Sequence, residues 1–253
     1  MKKNFLIIMG LALVCAFPTF SQSDNTFELI TESRDLSAFD AIHVTGRFKI
    51  VLTDAPKQSV KVTVPDKFLE TVETTVRNGE LTIQMIEPSN DKGSNVLEGL
   101  KAKYNDYLIR QPIEIHVGVS NLKSIIAKGT SRIETTGSLN VSNLNVELNG
   151  ASKARLKADI GNNLTVSLSE AAKLDIDGTA KNLDITANGA ASYNGNTMLA
   201  KHVKVELNGA SRAEVYADDS FDAVLNGATK VVCSGSPKSI KQQASRGSSI
   251  TIN

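Results

Sequence analysis

The sequence predicts an all-β protein whose second half is a right-handed parallel β-helix, and three features support this prediction. A turn motif of the type Asn-Gly-Ala-Ser recurs about every 20 residues. Apolar and polar residues alternate on both sides of each turn, which is the period of a strand. The repeats show no helical period. A repeat of this length with two or three short strands winds into a β-solenoid, and the crossover rule for parallel strands favours the right hand.

Composition restricts the class of protein further. The chain has 253 residues, with 28 Lys and Arg against 27 Asp and Glu, so its formal charge is only +1. This balance argues against a nucleic-acid binder, which would carry a basic excess. Hydrophobic residues at 41% and charged residues at 22% fit a folded domain rather than a disordered or multi-pass membrane chain. Trp is absent, so platforms for stacking bases or sugar rings are scarce.

The N-terminus has the pattern of an export signal. Lys2 and Lys3 precede the apolar run 5–17, and two small residues two apart, Thr19 and Ser21, follow. This order predicts a signal peptide over residues 1–21. The run is shorter than the roughly 20 apolar residues that a membrane span needs, so we expect no membrane span in the mature chain. The expected location is the periplasm, the outer-membrane surface or the extracellular space.

Residues 22–117 form a second β portion with a different rhythm. Alternating apolar residues predict strands near 39–44, 48–52, 60–64, 81–85 and 113–117. The Asn-Gly-Ala-Ser turn is missing here, and two arrangements remain open: wider coils of the same solenoid, or an antiparallel cap over its end. The stretch 89–111 is polar and Gly-bearing at first, which predicts an inserted surface loop.

Residues 118–253 contain the regular repeats. The segments LNVELNGASKARLKAD (144–159) and VKVELNGASRAEVYAD (203–218) show the register most clearly. Gly and Asn suit the turn because they accept positive φ at low cost. Seven copies align on one turn position, occupied in order by Gly129, Gly150, Glu170, Gly189, Gly209, Gly227 and Arg246.

Cys233 falls in an inward column of the second strand. The same column holds Leu156, Ile176, Val215 and Ile252. We therefore expect a small buried hydrophobe rather than a reactive or metal-binding thiol. Once residues 1–21 are removed, Cys233 is the only thiol, so we expect no intrachain disulfide.

No residues assemble into a recognisable catalytic or metal site, so we expect neither an enzyme nor a cofactor. The best local group of carboxylates lies on different faces of the predicted coil and is explained by solvated outward positions: Asp175, Asp177 and Asp184. The histidines are far apart in strand order, and none lies beside Ser or Cys at motif spacing: His43, His116 and His202.

One arrangement suggests a binding surface. The third residue after the turn position is basic in five of the first six copies, at Arg132, Lys153, Lys173, Arg212 and Lys230, with Ser192 in the remaining copy. Stacked rungs lie about 4.8 Å apart, so these residues form a column along one edge. We hypothesise that this basic column contacts an acidic glycan or another extended anion. The alternative is that long cationic side chains cover apolar surface and keep the solenoid soluble.

The fold-forming motifs resemble those of a known family. They are Phe39–Gly46, Phe48–Leu52, Asn78–Ile83 and the repeated Leu-Asn-Gly-Ala-Ser. On these residues the chain is similar to the family called putative auto-transporter adhesin, head GIN domain, over nearly all of the mature sequence. The resemblance implies a right-handed parallel β-helix and an adhesin role in an exported protein of the kind common in Bacteroidetes. It implies no catalytic residues.

The sequence is compatible with three classes of function. We favour a non-enzymatic exported protein that presents a rigid repeat surface to a glycan or to another envelope or surface protein. The first alternative is a carbohydrate-active enzyme, a polysaccharide lyase or hydrolase, with acids from the N-terminal half or from 89–111. The second is a structural envelope protein that associates with itself. Ile250 and Ile252 keep the strand pattern in the last copy, and an unpaired apolar rung invites pairing with a second copy.

Overall fold

The computed structural model describes residues 28–86 and 113–253. The expected signal peptide and the expected loop 89–111 lie outside this described part. The described residues form an all-β fold, as predicted, with a β-solenoid of about six turns and about 20 residues per turn. A single 3-10 helix, Asp66–Thr71, accompanies the strands β1 (Leu29–Arg34), β2 (Ala41–Gly46), β3 (Phe48–Asp54), β4 (Ser59–Pro65), β5 (Val72–Arg77), β6 (Glu80–Met85), β7 (Ile113–Val119), β8 (Ser124–Gly129), β9 (Arg132–Thr135), β10 (Leu139–Leu148), β11 (Lys153–Leu168), β12 (Lys173–Ala187), β13 (Ser192–Gly209), β14 (Arg212–Gly227), β15 (Lys230–Gly235), β16 (Ser239–Ala244) and β17 (Ser249–Ile252).

Each turn of the solenoid contributes one strand segment to each of two faces, and a shorter paired segment, such as 139–141 against 158–160, lies between them. Face A contains 144–148, 163–168, 182–187, 202–207 and 220–225, and face B contains 132–135, 153–156, 173–176, 192–195, 212–215 and 230–233. The long strands run from face B of one turn into face A of the next. β11, for example, pairs with β12 along both faces, and the register shifts between Asp159 and Asn163 at the corner.

The core lies between the two faces and is built from the alternation seen in the sequence. Neighbouring turns pair in parallel and in register, so equivalent apolar residues stack directly. Burying such a side chain contributes about 1.5–3 kcal/mol. One column of face A is at most 2% exposed at every level: Val146, Val166, Ile185, Val205 and Ala223.

Asparagine side chains reinforce this register on the outside. Asn163 donates to Asn143 at 2.7 Å, and Asn182 donates to Asn163 at 2.8 Å. A second ladder at the turns links Asn188, Asn208 and Asn226, with both hydrogen bonds at 3.1 Å. The middle amide of each ladder, Asn163 or Asn208, both accepts and donates along the stack. A slip by one residue would break these bonds as well as expose the core.

The turn between face A and face B favours glycine for two reasons: the backbone there has a positive φ, and a Cβ would lie too close to the turn before. Gly150 has φ of +76°, and a Cβ there would lie 2.6 Å from the carbonyl oxygen of Gly129 in the turn before. Glu170 holds the same position with φ of +65°. In the last turn the register on both sides aligns Arg246 with Gly227, as predicted, but the positive φ belongs to the next residue, Gly247. Glycine adopts positive φ at lower cost than arginine, so the turn forms around it.

The N-terminal portion extends both faces beyond the first repeat. β2 pairs in parallel with β8, and β3 pairs in parallel with β9, so these strands continue the solenoid ladders. On the far side β6 joins β2 and β7 joins β3, again in parallel. The outermost strands are antiparallel: β5 against β6, β4 against β7 and β1 against β4.

The last turn differs from the others in burial. Cys233 in β15 is a buried free thiol in register with Val215, which confirms its predicted inward position. In contrast, every residue of β16 is exposed, including Ile240 at 45%. β16 pairs with β14 and β17 pairs with β15, and no other described strand pairs with either of them.

Candidate functional site

The basic column is built by the register of face B. Arg132 pairs with Lys153, and Lys153 pairs with Lys173 in the next turn. Ser192 pairs with Lys173 on one side and with Arg212 on the other, and Arg212 pairs with Lys230. The five cationic side chains are exposed. Consecutive turns of a sheet lie about 4.8 Å apart, so the column from Arg132 to Lys230 is about 24 Å long.

The structure adds a residue that sequence reasoning missed. Lys49 in β3 pairs with Arg132 and precedes the basic column in the same ladder. Its Nζ lies 2.9 Å from Oε2 of Glu114, and Oε1 of Glu114 lies 2.7 Å from Nε2 of His116. The hydrogen bond from Lys49 lowers the pKa of the Glu114 carboxyl; partial burial opposes this shift, and His116 supports it. Lys49 is therefore already neutralised by a carboxylate.

The members of the basic column have few acidic partners. Lys173 Nζ lies 3.2 Å from Oδ1 of Asp175. Among the described residues, no ion pair involves Arg132, Lys153, Arg212 or Lys230. Like charges in register on neighbouring strands repel each other, so stacking Arg132, Lys153 and Lys173 lowers the stability of the sheet.

Face A has the opposite charge pattern. One outward column reads Asp184, Lys204, Asp222 and Lys241, each in register with the next. Opposite charges on neighbouring strands stabilise a sheet modestly. This alternating column is therefore what stability alone would favour, and the basic column is not.

The surface beside the basic column is charged but mixed in sign. Two residues further along the strands lies the in-register column Glu134, Arg155, Asp175, Asn194 and Glu214. A shallow depression of about 390 Å³ opens between the two columns, lined by Arg132, Lys153, Lys173 and their neighbours. Among the described residues of face B, the longest run of cations thus follows the axis of the solenoid, and a shorter run of three cations, Lys153, Arg155 and Lys157, follows β11.

The three carboxylates singled out from the sequence are not brought together. Asp175 lies on face B and accepts a hydrogen bond from Asn194 at 3.2 Å. Asp177 accepts one from the hydroxyl of Thr197, and Asp184 lies on face A. The described part of the chain contains no group of three or more His, Cys, Asp or Glu side chains that could hold a metal ion.

A histidine and a serine meet on face A, which sequence reasoning also missed. His202 pairs with Ser220, and Nδ1 of His202 lies 3.0 Å from Oγ of Ser220. Their spacing of 18 residues is one turn of the solenoid, and this repeat length is the signal that could have found the contact. His202 is exposed, and the register between β13 and β14 shifts between Ala200 and His202, directly beside this pair. His43 instead lies 3.4 Å from Glu80.

Comparisons with known proteins agree on the fold. The structure is similar to that of a putative adhesin from Bacteroides fragilis NCTC 9343, with a TM-score of 0.76, 17% identity and coverage of 89% of this chain and 97% of that one. A putative adhesin from Parabacteroides merdae ATCC 43184 has a TM-score of 0.65 at 14% identity, covering 90% and 97%. A putative lipid binding protein from Parabacteroides distasonis ATCC 8503 has a TM-score of 0.63 at 14% identity, covering 90% and 98%.

The family assignment comes from the sequence. No curated protein matches the chain significantly. No helix in the described residues has the length and apolar character needed to cross a membrane. The sequence profile of one family matches residues 38–237, which is more than half of the chain. The chain therefore belongs to the family described as putative auto-transporter adhesin, head GIN domain.

Proposed function

We propose that this protein is a non-enzymatic, exported binding protein of the adhesin type, which presents the basic column of face B to an acidic glycan of the cell envelope or of a surface that the cell contacts. The solenoid supplies a rigid ladder, and the column supplies exposed cations at regular spacing. The role is that of a surface for attachment rather than a site for chemistry.

One observation carries this proposal. Face B stacks like charges in register, whereas face A of the same solenoid alternates them. Since like-charge neighbours lower the stability of a sheet, an anionic partner that neutralises them accounts for the pattern better than solubility does. Charged residues keep a surface soluble whether they are stacked with like charges or alternate with opposite ones.

The export step rests on the residues before the described part. The pattern of Lys2 and Lys3, the apolar run 5–17 and the small residues Thr19 and Ser21 is that of a signal peptide. The adhesin description of the family and of the similar structures supports a surface or exported location. The proposed compartment is the periplasm, the outer-membrane surface or the extracellular space.

The test is size-exclusion chromatography with on-line light scattering of the protein mixed with acidic and neutral polysaccharides. We expect the protein to co-elute with intact acidic polymer and to elute alone with neutral polymer. Anionic and neutral lipid vesicles form a comparison, because one similar structure is a putative lipid binding protein. Absence of binding to every acidic polysaccharide would contradict the proposal.

The same experiment separates the proposal from an enzymatic function. A lyase or hydrolase would shift the polymer itself to smaller size over time, whereas a binding protein leaves the polymer length unchanged. His202 and Ser220, the His–Ser pair of face A, are the residues to replace if shortening occurs. His202→Ala would then abolish the shortening if this pair were responsible.

A further inference from the structure

We infer that the ligand of the basic column is a linear polyanion that lies parallel to the solenoid axis and reaches across a neutral gap at Ser192. This inference rests on the proposed function and adds the direction, length and register of the ligand. It concerns the whole span from Arg132 to Lys230.

The direction follows from the charges around the column. Along the axis, the basic column presents cations in consecutive turns about 4.8 Å apart. Along the strands, the next outward column begins with Glu134, and it includes Asp175 and Glu214 in later turns. A polyanion laid along β9, β12 or β14 would meet one of these carboxylates within two residues, about 7 Å. On β11 the exposed cations Arg155 and Lys157 instead continue the positive charge from Lys153 along the strand. The axial direction offers the longer run, because the basic column places five cations over about 24 Å, whereas β11 places three along its strand.

The gap divides the basic column into two unequal clusters. Arg132, Lys153 and Lys173 form one cluster, and Arg212 and Lys230 form the other. Ser192 lies between them, in register with Lys173 on one side and Arg212 on the other. A short oligomer spanning about 10 Å occupies the larger cluster alone, whereas an oligomer spanning about 24 Å engages both. Engagement of the second cluster is then intramolecular, so affinity rises when this length is reached.

Filling the gap is the sharpest test, because it predicts a gain. Ser192→Lys completes six consecutive cations, and an outward, half-buried serine leaves room for the longer side chain. We expect roughly threefold to fivefold tighter binding of long oligogalacturonates, from one added charge about 5 Å from its anion, and a smaller gain for short ones. Ser192→Glu should weaken the binding of long oligomers more than that of short ones.

Ser167→Lys is the matched control. Ser167 is also half-buried and outward-facing, but it lies on face A in register with Thr186. This substitution adds the same charge to the protein but places it on face A, away from the basic column. It should therefore leave the affinity for every oligomer unchanged within error. Circular dichroism of the three variants checks that each keeps the β fold.

Three outcomes are distinguishable. If wild-type protein binds no acidic oligomer, the proposed function fails together with this inference. If it binds, but affinity stops rising at the length of the larger cluster, the axial ligand is wrong and the proposed function stands. Equal gains in Ser192→Lys and Ser167→Lys would also overturn the inference, because the effect would then be net charge alone.

Discussion

At the scale of single residues, the turn between the faces leaves little freedom in backbone conformation and in space. A Cβ at Gly227 would lie 2.5 Å from the carbonyl oxygen of Gly209, and a Cβ at Gly150 would lie 2.6 Å from that of Gly129. Positive φ and close stacking thus act together at each level of the ladder. Glu170 is the exception, since a side chain holds the left-handed conformation there.

Glu170→Gly should therefore stabilise the protein. The left-handed conformation costs a non-glycine residue roughly 1–2 kcal/mol. Glycine removes this cost, but its larger conformational freedom in the unfolded chain offsets about half of the gain. We expect a net gain of about 0.5–1 kcal/mol, measured as a higher midpoint of thermal or urea unfolding. Glu206→Gly, within β13, is the control and should lower the midpoint. An unchanged or lower midpoint for Glu170→Gly would refute the strain at this turn.

At the scale of strands, the two charged columns give opposite expectations for the same substitution. Lys153→Glu places an acid between Arg132 and Lys173, so it replaces two repulsions by two attractions. Lys204→Glu places an acid between Asp184 and Asp222 and does the reverse. Each substitution changes the net charge of the protein by the same amount, so the pair separates position from charge.

We expect Lys153→Glu to raise stability by about 0.2–1 kcal/mol and to weaken binding of acidic polysaccharide. Lys204→Glu should lower stability by a similar amount and leave binding unchanged. Urea unfolding at low salt gives the first quantity, and a titration with polysaccharide gives the second. Both stability differences should shrink in 1 M salt, where the Debye length is about 3 Å. A Lys153→Glu variant that is less stable than wild type would contradict the repulsion along face B.

The last turn is the strand-level feature with the weakest packing. Because β16 is exposed along its whole length, its amide hydrogens should exchange fastest among the repeats, while those of β12 and β13 should exchange slowest. Hydrogen exchange at low and high protein concentration also tests the predicted self-association. Protection of β16 and β17 that rises with concentration, together with a dimer in light scattering, would support it. A monomer without added protection at micromolar concentration would refute it.

The repeat made much of the fold predictable from sequence. A period of two within strands and about 20 between turns assigned Cys233 to the core and the basic column to one ladder, and the pairings bear out both positions. Pairings between distant segments carry no such local signal. Lys49 aligns with Arg132, and β6 and β7 flank β2 and β3, only because the chain returns after long excursions. The contact of His202 with Ser220 needed the exact register of two turns.

At the scale of the whole molecule, different parts of the solenoid account for its stability and for the proposed binding. The core columns and the asparagine ladders hold the register, and face A carries charges that support it. Face B carries a run of cations that the fold itself does not need. A rigid ladder keeps these cations at fixed spacing, so the proposed polyanion would bind without ordering the protein first. This separation of the two roles fits a family that is described as a putative adhesin.

The most direct test of this account is the affinity of acidic polysaccharide for two double variants. Lys173→Glu with Arg212→Glu reverses two cations of face B, and Lys204→Glu with Lys241→Glu reverses two of face A, with equal change in net charge. The account predicts at least a roughly tenfold loss of affinity for the first variant, from about 1.4 kcal/mol or more of lost attraction, and wild-type affinity for the second. Equal losses in both variants, or no loss in the first, would contradict it.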